Sequence, residues 1–286
     1  MIINWFPGHM AKTRRLISEN LKLVDIVIEL LDARMPLSSE NPLVDSLIGK
    51  KPRLVVLNKA DMADERITDK WVSFYKAKGV PVITANSSDH KGINKIYEAM
   101  NSVLADKIKR NAEKGMNFNI RTMVVGIPNV GKSSFINKLT RSASAKAGNK
   151  PGVTKGKQWV RLKDGYELLD TPGILWPKLD DQQVAERLAF AGSIKDEILN
   201  TEELACSLLD YLMKNYKSNL VERYGVEFDE DILHYELLSE IGKKRGFVIK
   251  GGETDFLRAA NMLLDEFRNL KIGRISLESP DEYQAD

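Results

Sequence analysis

The sequence predicts an α/β domain built on a mostly parallel sheet, followed by an all-helical domain. Three observations carry this prediction. Over the first 180 residues short apolar runs alternate with helical periodicity, the pattern of parallel strands joined by crossover helices. After about residue 180 strand signals fade and helical periodicity takes over. The chain has 286 residues, of which 43% are apolar and 29% charged. That is globular composition, with length for about two domains and a sizeable core.

The elements follow in order. Residues 26–31 (IVIELL) form a nearly continuous apolar run closed by Asp32-Ala33-Arg34 and Pro36, which reads as a buried strand. Residues 53–57, 80–84 and 123–126 read as strands on the same grounds. Residues 159–162 and 166–169 flank Asp164-Gly165, a hairpin turn dipeptide. Helical periodicity lies between them at about 10–23, 66–78, 92–110 and 132–140. In the C-terminal part it recurs at about 182–192, 201–215, 230–241 and 254–268. The expected domains are therefore 1–180, opening with a basic and aromatic segment over 1–23, and 181–286. Residues 105–119 are polar and read as a connector between two parts of the first domain. The tail beyond Ser279 is acidic and reads as frayed.

The net charge of +3 hides an asymmetry. Residues 1–180 carry 30 basic and 18 acidic side chains, whereas 181–286 carry 13 and 22. Between Lys114 and Lys163 there is no acidic residue and eleven are Lys or Arg. Such a run points to an anionic partner, phosphates or nucleic acid. The single cysteine, Cys206, rules out an intramolecular disulfide framework and fits a reducing compartment. No apolar run approaches the ~20 residues of a membrane helix, and the N-terminus lacks the apolar core of a secretory signal. Neither membrane spanning nor secretion is expected.

Gly126-Ile-Pro-Asn-Val-Gly131-Lys132-Ser133 matches the phosphate-binding pattern G-x-x-x-x-G-K-[ST] and sits between a strand and a helix, as such a loop requires. Backbone N–H groups over Asn129, Val130, Gly131, Lys132, Ser133 and Ser134 would close around phosphates, helped by the helix dipole. Lys132 would reach the β- and γ-phosphates, and the Ser133 hydroxyl would ligate magnesium. Asp170-Thr-Pro-Gly173 ends a strand with 37 residues between Lys132 and Asp170. Its carboxylate would hold magnesium through water, and the Gly173 N–H would contact a γ-phosphate and move when it leaves. Asn58-Lys59-Ala60-Asp61 also ends a strand. The Asp61 carboxylate can accept from the ring N–H and exocyclic amine of guanine, which separates GTP from ATP; a helix N-cap is its other reading. Asn58 would tie the site together and the Lys59 stem would cover the base. Asn86-Ser87-Ser88 can add a backbone donor to the guanine carbonyl, or be a plain polar turn. Thr154, between the two phosphate motifs, would complete a magnesium shell, in a Gly-, Ser- and Lys-rich loop suited to switching.

These elements are the GTP-binding set of Ras-like GTPases in an altered order, with NKAD and NSS ahead of the phosphate loop, Thr154 and DTPG. The expected fold is therefore a circularly permuted Ras-like P-loop GTPase domain with a C-terminal all-helical domain, 105–119 being the join. Together with WFPGHMAK at the start, DARMP at 32–36 and DTPGILWPK at 170–178, this order closely resembles the YlqF/YawG family of circularly permuted GTPases over almost the whole chain. The resemblance implies a cytoplasmic enzyme that binds GTP and GDP with magnesium and acts in late assembly of the large ribosomal subunit. It implies contact with rRNA, with ribosomal proteins about it, and hydrolysis stimulated by the particle. The family's C-terminal domain resembles an RNA-binding helical module; here Lys243-Lys244-Arg245 and Lys250 are its candidate phosphate contacts. A monomer is expected.

Many GTPases place a glutamine after D-x-x-G to orient the attacking water. Here Ile174 and Leu175 stand there, so turnover should be slow alone, or the water must be oriented by another group. Three suppliers are open. Asn129 occupies the loop position resembling potassium-stimulated GTPases, so K+ would stand in for an arginine finger. His9, after a glycine, would swing toward the γ-phosphate on docking, its other reading being an RNA-contacting or capping residue. The third is the ribosome itself. Trp5 and Phe6, with Arg14-Arg15 close by, suit stacking on splayed RNA bases or, equally, packing on the sheet.

Overall fold

The computed structural model describes residues 10–86, 93–116, 118–140, 159–162, 165–169, 181–195, 197, 199–229 and 231–283. They divide into two compact units, one of residues 181–275 and one that joins the N-terminal part to the last stretch of the chain, residues 276–283.

The larger unit is built on a six-stranded sheet ordered β3-β2-β1-β4-β6-β5. Its strands are β1 (Ile26–Asp32), β2 (Arg53–Asn58), β3 (Val82–Thr84), β4 (Ile120–Gly126), β5 (Trp159–Arg161) and β6 (Tyr166–Leu169). All six coincide with expected strands. Only β5 runs antiparallel, against β6; every other neighbouring pair is parallel. Every residue of β1 is buried, which is why it reads as a run rather than an alternation. Its Glu29 is paired with the Arg53 guanidinium, which also holds Glu40.

Side-chain parity assigns the helices to faces. Val27, Met123, Val125 and Leu169 point one way and pack with Ile17 and Leu21 of α1 (Met10–Leu21) and with Val44 and Ile48 of α3 (Pro42–Ile48). Leu31, Val55 and Leu57 share that face and pack against Trp71 and Tyr75 of α4 (Glu65–Ala77). Thr122 has the opposite parity, and its hydroxyl meets the Met100 sulfur of α5 (Ile93–Val103). The Tyr97 hydroxyl of α5 in turn donates to Leu139 O of α7 (Lys132–Thr140). α5 and α7 therefore cover the second face, giving a doubly wound sheet.

Two expectations are corrected. The 105–119 connector is largely helical: α6 spans Ala105–Glu113, and its Lys107 ammonium pairs with Asp25, whose other carboxylate oxygen accepts the Arg121 N–H at 2.8 Å. The segment after β1, for which no element is expected, holds α2 (Pro36–Ser39) and then α3. The tail is not frayed up to Tyr283. It belongs to the sheet-containing unit, not with the helices of 181–275, and ends in a 3-10 turn over Pro280–Tyr283 with Pro280 buried. A tail this acidic is held because its backbone and carboxylates find donors: Trp71 Nε1 donates to Glu278 O at 3.2 Å, and Lys70 pairs with Asp281 at 2.5 Å.

The second unit comprises α8 (Gln182–Phe190), α9 (Thr201–Asn215), α10 (Lys217–Tyr224), α11 (His234–Lys244) and α12 (Phe256–Arg268); α10 has no counterpart among the expected helices. Asp181, Asn200 and Asp255 cap three N-termini by accepting backbone N–H groups. The Arg268 guanidinium donates to Ala189 O and Phe190 O, closing the C-terminus of α8. The core is leucine-rich, with Leu204, Leu208, Leu237, Leu263 and Leu264 buried. α11 packs so closely on α12 and the turn before it that a Cβ on Gly242 would lie 3.2 Å from Ala259 Cβ and 2.5 Å from the Thr254 methyl. No helix among the described residues is long and apolar enough to cross a membrane.

Trp71 is fully buried, with Phe74 edge-on at 5.2 Å and Tyr283 at 6.1 Å. Trp71→Ala should lower stability by about 3–5 kcal/mol, read as a reduced urea midpoint.

Candidate nucleotide-binding site

Parallel strands put all their C-terminal ends on one edge, and the order reverses between β1 and β4, the switch point where α/β sheets bind ligands. The residues that end β1, β2 and β4 are Asp32, Asn58 and Gly126. Register makes them neighbours: Asp32 lies beside Asn58, and Leu30 beside Gly126.

The phosphate loop leaves β4 at Gly126, where the backbone needs glycine. A Cβ there would lie 2.7 Å from Leu30 O and 3.1 Å from Val130 Cγ1. Two further residues turn the loop through left-handed backbone, Asn129 at φ 59° and Gly131 at φ 94°. Asparagine tolerates that conformation better than most side chains. Val130 is buried and anchors the loop, while Asn129, Ser133 and Ser134 are exposed and Lys132 is half-buried. The first turn of α7 begins as Phe135 N–H donates to Gly131 O at 2.9 Å. The α7 N-terminus thus carries Lys132, Ser133 and Ser134 on the open carboxyl edge, the arrangement that receives phosphate.

Asn58 joins this loop to the second motif. Its side-chain amide, fully buried, donates to Val130 O at 2.7 Å. Lys59 adopts φ 59° and directs its Nζ to Asp32 Oδ2 at 3.0 Å. Ala60 N–H donates to Ala85 O at 3.2 Å, which draws the end of β3, and with it half-buried Asn86, alongside. Asp61 is half-buried and does not cap the next helix. That cap is Asp64, which accepts the Arg66 N–H at 2.9 Å. The cap reading of Asp61 is thereby corrected.

Asp32 and Arg34 were given no role by the sequence alone, yet they organise the edge. The Arg34 guanidinium donates to Asp32 through Nε at 2.9 Å and Nη2 at 2.8 Å, and both residues are buried. Burial works against charge on Asp32, but Arg34 and then Lys59 outweigh it and hold its carboxyl far below the usual carboxylate range. For Lys59 burial prevails over the attraction of Asp32, so its pKa lies below that of an ordinary lysine. The available signal was an acid followed two residues later by a base, D-A-R, at the C-terminal end of the strand next to NKAD.

The structure therefore brings together Asn58, Lys59, Asp61, Asn86 and the loop from Asn129 to Ser134. His9, Ser87, Ser88, Thr154, Asp170 and Gly173 lie outside the described residues, as do Trp5, Phe6 and the switch loop. In the helical unit, Lys243 and Lys250 are exposed. Lys244 donates to Gly225 O and Arg245 to Arg223 O, so these two also hold the end of α10.

Residues 121–238 match the family described as 50S ribosome-binding GTPase. The chain is 49% identical over 285 residues to "Ribosome biogenesis GTPase A" of Bacillus cereus, covering 99% of this chain and 96% of that one. Among solved structures it resembles "GDP-bound structue of TM YlqF", with TM-score 0.66, 30% identity and coverage of 93% of this chain and 100% of that one. "GNP-bound YlqF from T. maritima" gives TM-score 0.64 at 31% identity over 94% and 99% of the two chains.

Asp32→Asn would leave Arg34 and Lys59 without their buried counter-charge. The expected loss is about 3–5 kcal/mol in denaturant unfolding. Because the native Asp32 pKa is depressed, the contribution of its charge is present above the ordinary carboxylate pKa. It is lost as pH falls toward the lowered value, so the difference between the two proteins should shrink on acidification.

Proposed function

The chain belongs to the ribosome biogenesis GTPase A family of circularly permuted GTPases, hydrolysing GTP in ribosome biogenesis, and on that premise we propose that it is a nucleotide-switched factor of the immature large subunit. In its GTP form it binds rRNA in the precursor particle among ribosomal proteins; hydrolysis releases it. It works as a monomer in the cytoplasm. One observation carries the site assignment: the 2.7 Å bond from Asn58 to Val130 O makes a single edge of the guanine motif and the phosphate loop.

In this reading Asp61 selects guanine, the Lys59 stem lies over the base, and Asn86, Ser87 and Ser88 face its carbonyl. Backbone N–H groups over Asn129–Ser134 and the Lys132 ammonium hold the phosphates, with the Gly173 N–H at the γ-phosphate. Exposed Ser133, at the first turn of α7, fits a metal that arrives with the phosphates; Thr154 and Asp170 complete the set of magnesium residues. Magnesium there neutralises phosphate charge. Asn129, exposed and with left-handed backbone, is the residue we assign to K+. With Ile174 and Leu175 after DTPG, the attacking water needs orientation from outside the motif, and His9 is the side chain we assign to it on docking. The eleven basic residues from Lys114 to Lys163, and Lys243 and Lys250 in the helical unit, supply phosphate contacts to RNA.

GTP hydrolysis should be slow alone and rise roughly tenfold or more with purified large subunits in potassium buffer, and less in sodium. A rate that the particle leaves unchanged would overturn the switch in favour of a scaffold with a structural nucleotide. In the same assay, undiminished stimulation of His9→Ala would remove His9 from catalysis. Asp61→Asn should move binding preference from guanine toward xanthine nucleotides, measured by competition against labelled GDP.

A further inference from the structure

The last described residues of the chain, 276–283, return to the sheet-containing unit and insert between the segment that follows β1 and the loop that follows β2. We propose that they are a latch for the guanine-recognition motif, and that Glu278 is its positioning residue. The proposal rests on the reading of Asn58-Lys59-Ala60-Asp61 as that motif.

Glu278 is 1% exposed, at a position where an unpaired carboxylate would be prohibitive. It is instead enclosed by donors. The Leu37 N–H donates to Oε1 at 2.5 Å, the Ser38 N–H to both oxygens at 3.1 and 3.3 Å, and the Tyr283 hydroxyl to Oε2 at 3.1 Å. The Ser38 hydroxyl completes the set. These bonds pin α2, the short helix directly after the Asp32–Arg34 pair. The same segment is tied to Asp32 from the other side, since the Asp32 N–H donates to Ser39 Oγ at 3.0 Å.

Two routes run from the latch to the guanine motif. Leu277 N–H donates to Arg34 O at 2.6 Å; Arg34 grips Asp32, and Asp32 holds the Lys59 ammonium. On the second route Ser276, fully buried, accepts the Asp64 N–H on its Oγ at 3.1 Å. The loop from Asn58 to Asp64 is thus fixed at Lys59 through the first route and at Asp64 through the second. Asp61 lies between these two anchors. Its carboxylate must meet two guanine donors at once, so a small displacement costs recognition while leaving phosphate contacts in place. Ile275 is the last residue of the helical unit and Ser276 the first of the latch.

The test compares release of fluorescent GDP and fluorescent IDP from the full-length protein by stopped flow. Inosine lacks the exocyclic amine, so the GDP-over-IDP preference reports the alignment of Asp61, whereas general destabilisation weakens both nucleotides together. Glu278→Ala should speed GDP release roughly tenfold and IDP release much less, so the preference falls; Glu278→Gln should recover part of it. Ser276→Ala, which removes only the hydroxyl contact to Asp64, should shift the preference in the same direction by less. It decides the matter should Glu278→Ala not fold. Variants that keep the wild-type preference overturn the latch alone. A wild-type protein with no preference for GDP over IDP overturns the assignment of Asp61, and the latch with it.

Discussion

Asp32 keeps a negative charge inside the protein, and the carboxyl edge of the sheet is arranged around that necessity. A buried carboxylate is tolerated only with charged partners in good geometry. Here one partner, Arg34, is two residues away and the other, Lys59, comes from the end of the neighbouring strand. Parallel register between β1 and β2 brings the second within reach. The same residues that neutralise Asp32 therefore fix the start of the loop after β2, and Asn58, one residue earlier, fixes the phosphate loop. Charge compensation and site assembly are one set of contacts.

Much of this was legible in the sequence. The central strands β1, β2 and β4 are buried on both faces and read as apolar runs, the half-exposed pair β5 and β6 was legible from the turn dipeptide between them, and the phosphate loop was recognisable because its glycines answer to backbone geometry. What escaped detection shares a different physics. α6 buries no side chain, so the helical periodicity read as far as 110 gives way to a polar connector before the helix ends at Glu113. α2 opens on Pro36 and α3 on Pro42, and such short, proline-led helices look like turns. The role of Asp32 depends on strand register, which local pattern does not encode. The tail is acidic and would be solvated in isolation; its partners lie some 240 residues earlier in the chain. In the candidate site, the roles of His9, Ser87, Ser88, Thr154, Asp170 and Gly173 still stand on motif and spacing alone.

The permuted order divides the labour of the chain. The Asn58–Asp61 loop is carried by a strand from before the join and the phosphate loop by the strand after it, and their meeting depends on the pairing of β1 with β4. The join is itself anchored: Lys107 of α6 and the Arg121 N–H at the start of β4 share the Asp25 carboxylate just before β1. One acidic side chain thereby aligns both ends of the rearranged segment with the central strands, and the nucleotide edge inherits that alignment.

The distance along the chain between Glu278 and its partners has a bearing on biosynthesis. A polypeptide is made from its N-terminus, so β1, β2 and the loop after β2 leave the synthesising ribosome long before residue 278 exists. Bonds that span 240 and 241 residues close late. The sheet can assemble beforehand, but the donors of α2 must wait, held by water, until residues 276–283 have emerged. A truncated product, lacking only its C-terminal end, would carry every nucleotide-site residue and still leave those donors unanswered. The integrity of the whole chain is in this way written into the neighbourhood of the nucleotide.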